Sequence, residues 1–109
     1  MEAFTRKVVS IISEIPKGKV MSYGQIARLA GSPRAARQIV RILHSMSDKY
    51  NLPWHRVINS KGQIGLSGDH ADTQRKLLEE EGICFQEDGS ISLEEFGFEP
   101  IHLLEDDYM

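Results

Sequence analysis

The spacing of hydrophobic and polar residues predicts a chain built mainly from short helices. Near the N-terminus, apolar side chains recur every three or four positions: Phe4, Val8, Ile11, Ile12 and Ile15. This interval places them on one face of an α-helix, so residues 2–14 are predicted to form an amphipathic helix. Pro16 and Gly18 follow directly and are expected to end it.

The next segment carries the start signals of two more helices. Ser22 and Gln25 have the three-residue spacing of a capping box, which predicts a helix over residues 23–30, ended by the glycine that follows. The dipeptide Ser32-Pro33 supplies an N-cap and a residue suited to the first helical position. It therefore predicts another helix, which runs to about residue 46.

This last helix is expected to have two distinct faces. Its buried stripe is predicted to consist of Ala36, Ile39, Val40 and Leu43. Its arginines recur on a different face: Arg34, Arg37 and Arg41. Two helices joined by a tight glycine turn, the second striped with arginine, are typical of a helix-turn-helix. The same pattern also fits a plain helical corner with a solvated basic face, and both interpretations stay open.

Short β segments and one more helix are predicted downstream. HRVI and QIG flank a turn at residues 59–62, which indicates a hairpin or extended segment lying like a wing beside the helix-turn-helix. Asp72 is a candidate N-cap for a helix that Gly82 ends. ICF and SISL predict a second hairpin around the turn QEDG. The expected fold is mainly α with short β hairpins, a winged-helix-like single domain over residues 1–109.

Charge is divided unevenly along the chain. Residues 1–76 hold all 13 basic side chains and five acidic ones, a formal charge of +8, whereas residues 77–109 hold 11 acids and no base. This split favours a body that binds a polyanion, with an acidic C-terminal part. Its tail, residues 94–109, is expected either to pack across the body or to fray at its end. Ordinary solvated surface would give the same counts. The net charge of -3 argues against strong nonspecific coating of DNA.

The residue inventory excludes several functional classes. The four histidines lack cysteine partners in a zinc pattern, and no Gly-x-Ser-x-Gly elbow is present. No apolar run approaches the ~20 residues of a membrane span, and the N-terminus does not look like a signal peptide. Cys84 is predicted to be a buried, inert thiol in a strand. A cytoplasmic protein without metal or cofactor is expected, associated with the nucleoid in a bacterium or admitted to the nucleus in a eukaryote.

The stretch PWHRVI at residues 53–58 concentrates the candidate chemistry. Pro53 restricts the backbone directly before Trp54, which is the only tryptophan of the chain. This indole could be plain core, or it could line an apolar pocket or stack on a base, a contact worth roughly 1–3 kcal/mol.

Four blocks in order carry a resemblance to a known family: IPKGKVMSYGQIARLAG, SPRAARQIVRILHSM, PWHRVINSKGQIG and LLEEEG. The chain resembles the DNA-binding, active-site domain of the O6-alkylguanine-DNA alkyltransferases from about residue 4 to Gly82. The repair enzymes of that family have Pro-Cys-His-Arg-Val where this chain has Pro-Trp-His-Arg-Val, and their cysteine accepts the alkyl group. An indole forms no thiolate, so the chain is similar to the alkyltransferase-like proteins. That resemblance implies binding of O6-alkylguanine in double-stranded DNA without alkyl transfer, followed by nucleotide excision repair.

The resemblance also implies roles for individual residues. Tyr23 matches a tyrosine that crowds the target phosphate and helps to rotate the nucleotide out. Arg37 matches an arginine finger that fills the vacated stack, and Ala36 matches a small residue that lets its helix approach the minor groove. Arg34 and Arg41 would contact DNA through the same basic face.

A pocket for the alkylated base is implied as well, lined by Tyr23, Trp54, Val57, Ser60 and Ser67. His55 and Glu81 match the pair that would activate the cysteine, here a vestigial network. Two departures from the family pattern stand out. No arginine lies between Lys61 and Arg75, where tryptophan-bearing relatives often carry one, and Met46 stands where an asparagine is expected.

Three other functions are compatible with the sequence. A helix-turn-helix transcription regulator would read a particular sequence in the major groove. The second is an alkyltransferase that uses Cys84 as its nucleophile. The third is a protein-binding adaptor with an acidic end. For the alkyltransferase-like function the expected partners are damaged DNA and nucleotide excision repair proteins, and a monomer is expected.

Overall fold

The computed structural model describes residues 1–100, and it is mainly helical, as predicted. In chain order the elements are α1 (Ala3–Ser13), β1 (Met21–Ser22), α2 (Tyr23–Leu29), α3 (Ala36–Tyr50), a 3₁₀ turn (Trp54–Arg56), β2 (Val57–Ile58), α4 (Gly68–Glu80) and α5 (Leu93–Phe96). None of these helices is long and apolar enough to cross a membrane. The expectation that the tail packs across the body is confirmed for residues 94–100, because Phe98 packs against the core and Pro100 is fully buried. Residues 101–109, and the expectation that the tail frays at its end, lie outside the described residues.

Helices α1, α2 and α3 pack around a shared hydrophobic cluster. Its buried members include Val8, Ile11 and Ile12 from α1, Ile26 and Ala27 from α2, and Ile39 and Ile42 from α3. Burying each such aliphatic side chain contributes about 1.5–3 kcal/mol. The predicted amphipathic character of α1 is therefore confirmed, and it anchors the other two helices.

The capping box that begins α2 is also confirmed. The Ser22 hydroxyl accepts a hydrogen bond from the Gln25 amide at 3.1 Å, and the Gln25 side-chain oxygen accepts one from the Ser22 amide at 3.3 Å. The side-chain nitrogen of Gln25 also donates to the Phe98 carbonyl at 2.6 Å. One glutamine thus fixes the start of α2 and holds the chain that follows α5 against it.

The start of α3 differs from the prediction. Helix α3 begins at Ala36 rather than Pro33, and Ser32 does not cap it. Instead, the Ala35 amide donates to the Ser32 carbonyl at 2.9 Å, which closes a turn. Ser-Pro is as well suited to the first two positions of a β-turn as to a helix start. The buried stripe is also corrected, because Ile42 is buried and Val40 is 46% exposed.

Of the two alternatives predicted around residues 59–62, a hairpin or an extended segment, the hairpin is wrong. Strand β2 pairs in parallel with β1, with Met21 opposite Val57 and Ser22 opposite Ile58. The turn itself forms, since the Asn59 amide donates to the Gln63 carbonyl at 3.0 Å, but no strand follows it. Ile58 is fully buried in a second cluster with Leu78 of α4, and this burial keeps β2 inside the body instead of in a wing.

The C-terminal part contains two corrections and one confirmation. Helix α4 begins at Gly68, so Asp72 lies within it and not at its N-cap. Cys84 is exposed rather than buried. The second hairpin exists in minimal form, because Phe85 pairs with Ile91 in an antiparallel bridge.

Candidate nucleic-acid interface

Helices α2 and α3 form the predicted helix-turn-helix and present arginines to solvent. Arg37 and Arg41 are exposed on α3, and Arg34 is exposed in the turn that precedes it. Ala36 is half-buried at the first helical position. Exposed guanidinium groups close together in the chain attract a phosphate backbone, and the small side chain of Ala36 leaves the helix start accessible.

A cavity of about 390 Å³ lies beside this arginine face. It is lined by Tyr23, Val40, Leu43, His44, Ser47, Asp48, Trp54, Leu66 and His70. The five residues from α3 follow the spacing i, i+3, i+4, i+7 and i+8, so they form a single stripe along the helix. Val40 is exposed because it belongs to this cavity wall and not to the core. Arg37 lies on the same side of α3 as His44, about 10 Å closer to the helix start.

The direction of Trp54 is set by the backbone before it. Pro53 has φ −77° and ψ 66°, the conformation of an inverse γ-turn, and the Trp54 amide donates to the Leu52 carbonyl at 2.8 Å. The Arg56 amide then donates to the Pro53 carbonyl at 3.0 Å, which starts the 3₁₀ turn. The rings of Trp54 and His55 meet edge to face, with centroids 6.0 Å apart. These constraints hold the indole at the cavity wall.

Behind the cavity, the Glu81 carboxylate collects four hydrogen-bond donors. It accepts from His55 Nε2 at 2.7 Å, from Arg56 Nη2 at 2.8 Å and Nε at 3.0 Å, and from the Gly18 amide at 3.0 Å. Burial alone would raise the pKa of Glu81, but the bonds from Arg56, Gly18 and His55 outweigh it and lower the pKa to about 2. An ionised carboxylate only accepts, so His55 Nε2 carries the hydrogen of the shared bond.

Another bond from Arg56, which belongs to the PWHRVI stretch, and the side chain of Gln74, which the sequence did not single out, complete this network. Arg56 Nη1 donates to the Ile15 carbonyl at 2.8 Å, which ties the 3₁₀ turn to the segment after α1. Gln74 is 1% exposed, and its side-chain nitrogen donates to the carbonyls of His55 and Val57, each at 3.0 Å. The available signal for Gln74 was its spacing, one helical turn before the buried Leu78.

The structure brings together only part of the pocket implied by the resemblance. Tyr23 and Trp54 both line the cavity, and burial raises the pKa of Tyr23, so its hydroxyl stays neutral. Val57 is 1% exposed and its carbonyl is engaged by Gln74, so it forms part of the frame and not of the lining. Ser60 in the turn and Ser67 before α4 are exposed and lie outside the lining. Met46 packs against the core cluster.

The cavity walls that sequence reasoning missed come from α3 and from the segment around α4. Val40 and Leu43 were assigned to the core, and His44, Ser47 and Asp48 were given no role. Leu66 and His70 come from the stretch between Lys61 and Arg75, which contains no arginine. Within residues 1–100, no group of histidine, cysteine and acidic side chains is arranged to hold a metal ion.

Two packed helices with exposed arginines on the second, beside a cavity, define a helix-turn-helix DNA-binding domain. The family model described as 6-O-methylguanine DNA methyltransferase, DNA binding domain, matches residues 3–83, and the chain belongs to this family.

Similar proteins and structures agree with that assignment. The chain is 43% identical over 100 residues to a DNA base-flipping protein of Vibrio parahaemolyticus, covering 92% of this chain and 100% of that protein. It is 45% identical over 85 residues to alkyltransferase-like protein 1 of Schizosaccharomyces pombe, covering 76% of this chain and 79% of the relative.

Among solved structures, S. pombe Atl1 in complex with damaged DNA containing O6-carboxymethylguanine superposes with a TM-score of 0.77 at 39% identity. That match covers 92% of this chain and 98% of the other. Mycobacterium tuberculosis OGT in complex with DNA matches with a TM-score of 0.59 at 31% identity, over 74% of this chain and 50% of the other.

Proposed function

We propose that this protein binds double-stranded DNA containing O6-alkylguanine and holds the modified base outside the helix without removing its alkyl group. One observation carries the proposal: a cavity of about 390 Å³, walled by Trp54 and Tyr23, opens beside the arginine face of α3. Its volume is within the range of pockets that bind small molecules, about 300–1,000 Å³. The names of the similar proteins, a DNA base-flipping protein and an alkyltransferase-like protein, support it.

The proposed steps of binding combine the exposed arginines of α3 with the roles that the family resemblance implies for Tyr23, Ala36 and Arg37. Arg34 and Arg41 contact phosphates and position the duplex, while α3 enters the minor groove with Ala36 at its start. Tyr23 crowds the phosphate of the target nucleotide, and Arg37 fills the space that the base leaves. Extruding a base costs a few kcal/mol. An O6-alkylguanine pairs weakly and is therefore easier to extrude than guanine.

Alkyl transfer is not expected, because position 54 holds an indole where the family's repair enzymes have their acceptor cysteine. An indole contains no sulfur, so it cannot supply the thiolate that accepts the alkyl group. Cys84, the single thiol of the chain, is exposed after α4 and does not line the cavity. His55 and Glu81 then act as a structural pair that orders the turn carrying Trp54.

A bound but unrepaired lesion requires a second system to remove it. We therefore propose that the complex is handed to nucleotide excision repair, and that the protein acts as a monomer in the compartment that holds the DNA. The extrusion of the base leaves a distorted duplex with a persistent protein marker, which is the kind of signal an excision system can recognise.

Fluorescence anisotropy with a plain duplex and a matched O6-methylguanine duplex tests this function. Arg37→Ala is expected to weaken binding to both duplexes. Trp54→Ala is expected to reduce the ratio of the plain-duplex Kd to the lesion-duplex Kd roughly tenfold, since one base–aromatic stack is worth about 1–3 kcal/mol. Arg28→Ala is the control, because Arg28 is an exposed arginine on α2 beside α5.

Several outcomes would contradict the proposal. Equal affinity of the unmutated protein for both duplexes would remove lesion recognition. A strong consensus after selection from random duplexes would favour a transcription regulator. Covalent transfer of label from alkylated DNA to the protein would show an alkyltransferase.

A further inference from the structure

One side of the cavity carries polar chemistry that base extrusion does not require. His44 and Asp48 lie one turn apart on α3, and His70 reaches the cavity from the first turn of α4. The remaining wall is apolar and consists of Val40, Leu43, Trp54 and Leu66. An alkyl group needs only the apolar wall, so the polar side is available to contact polar or charged groups that the alkyl group carries.

Asp48 is an exposed acidic side chain at this cavity. Among the lining residues it is the one carboxylate, and neither lysine nor arginine is among them. No ion pair within residues 1–100 engages Asp48. The sequence between Lys61 and Arg75, which passes the cavity at Leu66 and His70, contains no lysine or arginine, and Arg41 of α3 lies about 10 Å from Asp48 along the helix axis.

We propose that Asp48 makes the pocket sort O6-substituents by charge, so that neutral and cationic groups bind in preference to carboxylates. The inference rests on the proposed function, because it specifies which adducts that function accepts. A base entering the cavity displaces water, and the interaction between charges strengthens as the water leaves. A carboxylate on the adduct would then be repelled by Asp48, whereas an ammonium group would be attracted. His44 and His70 supply hydrogen-bonding nitrogens for neutral polar groups.

Three duplexes that differ only in the O6-substituent of one guanine test the inference: methyl, carboxymethyl and 2-aminoethyl. Competition anisotropy at low salt is expected to give a Kd for the carboxymethyl adduct roughly three- to tenfold higher than for the aminoethyl adduct. Asp48→Asn keeps the shape of the side chain and removes its charge. It is expected to lower the ratio of the two Kd values, leaving only the difference that does not depend on the charge of Asp48. S. pombe Atl1, solved with DNA containing O6-carboxymethylguanine, is a natural comparison in the same assay.

Asp72→Asn is the matched control, because Asp72 is an exposed residue of α4 outside the cavity lining and the same charge is lost. Asp72→Asn changes the general attraction to phosphates equally for both adducts. It is therefore expected to leave the ratio of their Kd values unchanged. The inference would be overturned by equal affinity for the carboxymethyl and aminoethyl adducts, or by a ratio of their Kd values that Asp48→Asn does not lower. The proposed function would stand in that case if the protein still preferred the O6-methylguanine duplex to the plain one. Loss of that preference in the unmutated protein would overturn both.

Discussion

Replacing Glu81 with glutamine tests whether the network behind the cavity stabilises the fold. The carboxylate of Glu81 is 9% exposed and accepts from His55, from two nitrogens of Arg56 and from the Gly18 amide. Glutamine keeps one carbonyl oxygen but turns an NH₂ group toward donors. Arg56 would then be left without a counter-charge in a largely buried site, which is a strongly destabilising change.

The lowered pKa of Glu81 sets the magnitude. Its pKa falls from 4.5 to about 2 on folding, and each unit corresponds to about 1.4 kcal/mol, so the ionised carboxylate contributes about 3 kcal/mol at pH 7. A depressed carboxylate pKa gives stability that is present above the unfolded value and lost as the pH falls toward the folded value. About 2 kcal/mol of this contribution should be gone at pH 3.

Urea unfolding of the unmutated protein and of Glu81→Gln at pH 7 and pH 3 measures both effects. The difference in unfolding free energy is expected to be about 3 kcal/mol at pH 7 and to shrink by about 2 kcal/mol at pH 3. Glu80→Gln is the control, because Glu80 is an exposed neighbour and its replacement should change stability by under ~0.5 kcal/mol. A loss below ~1 kcal/mol at pH 7, or a difference that does not change with pH, would refute the argument.

Two local predictions concern the backbone. Ser22→Ala removes the cap of α2 and should lower the unfolding free energy by about 1 kcal/mol, whereas Ser22→Thr should retain most of it, as measured by urea unfolding. Gly62→Ala should destabilise by more than Gly89→Ala in the same assay. Both glycines have positive φ (77° and 85°), but only at Gly62 would the new Cβ collide with a backbone carbonyl, that of Ile91. Equal losses for the two alanine variants would contradict the steric argument.

The parts of the fold that sequence predicted are those fixed by neighbours in the chain. The apolar spacing of α1 and the Ser22–Gln25 capping box each involve residues within one or two helical turns, so their outcome did not depend on the rest of the molecule. The start of α3 was misplaced because Ser32-Pro33 satisfies a β-turn as well as a helix start, and packing of the turn decided between them.

Long-range contacts explain the remaining errors. The partner of β2 is β1, which lies more than 30 residues earlier, and the burial of Ile58 between β1 and α4 selects it. Val40 was wrongly assigned to the core, whereas Leu43 both packs against the core and lines the cavity, because apolar residues at helical spacing do not reveal which of two neighbouring faces is covered. His55 and Glu81, 26 residues apart, came from the family resemblance and not from any local pattern.

The network holds the backbone of the short turn whose Trp54 side chain lines the cavity, and this arrangement allows position 54 to hold different residues. The backbone of the turn is held from behind, through Arg56 to the Ile15 carbonyl and to Glu81, and through Gln74 to two carbonyls. None of these bonds uses the side chain of Trp54. The frame is therefore independent of the residue it presents, and replacing Trp54 should change what the cavity holds more than whether the domain folds. Trp54→Ala should accordingly lose lesion preference with an unfolding free energy reduced far less than by Glu81→Gln.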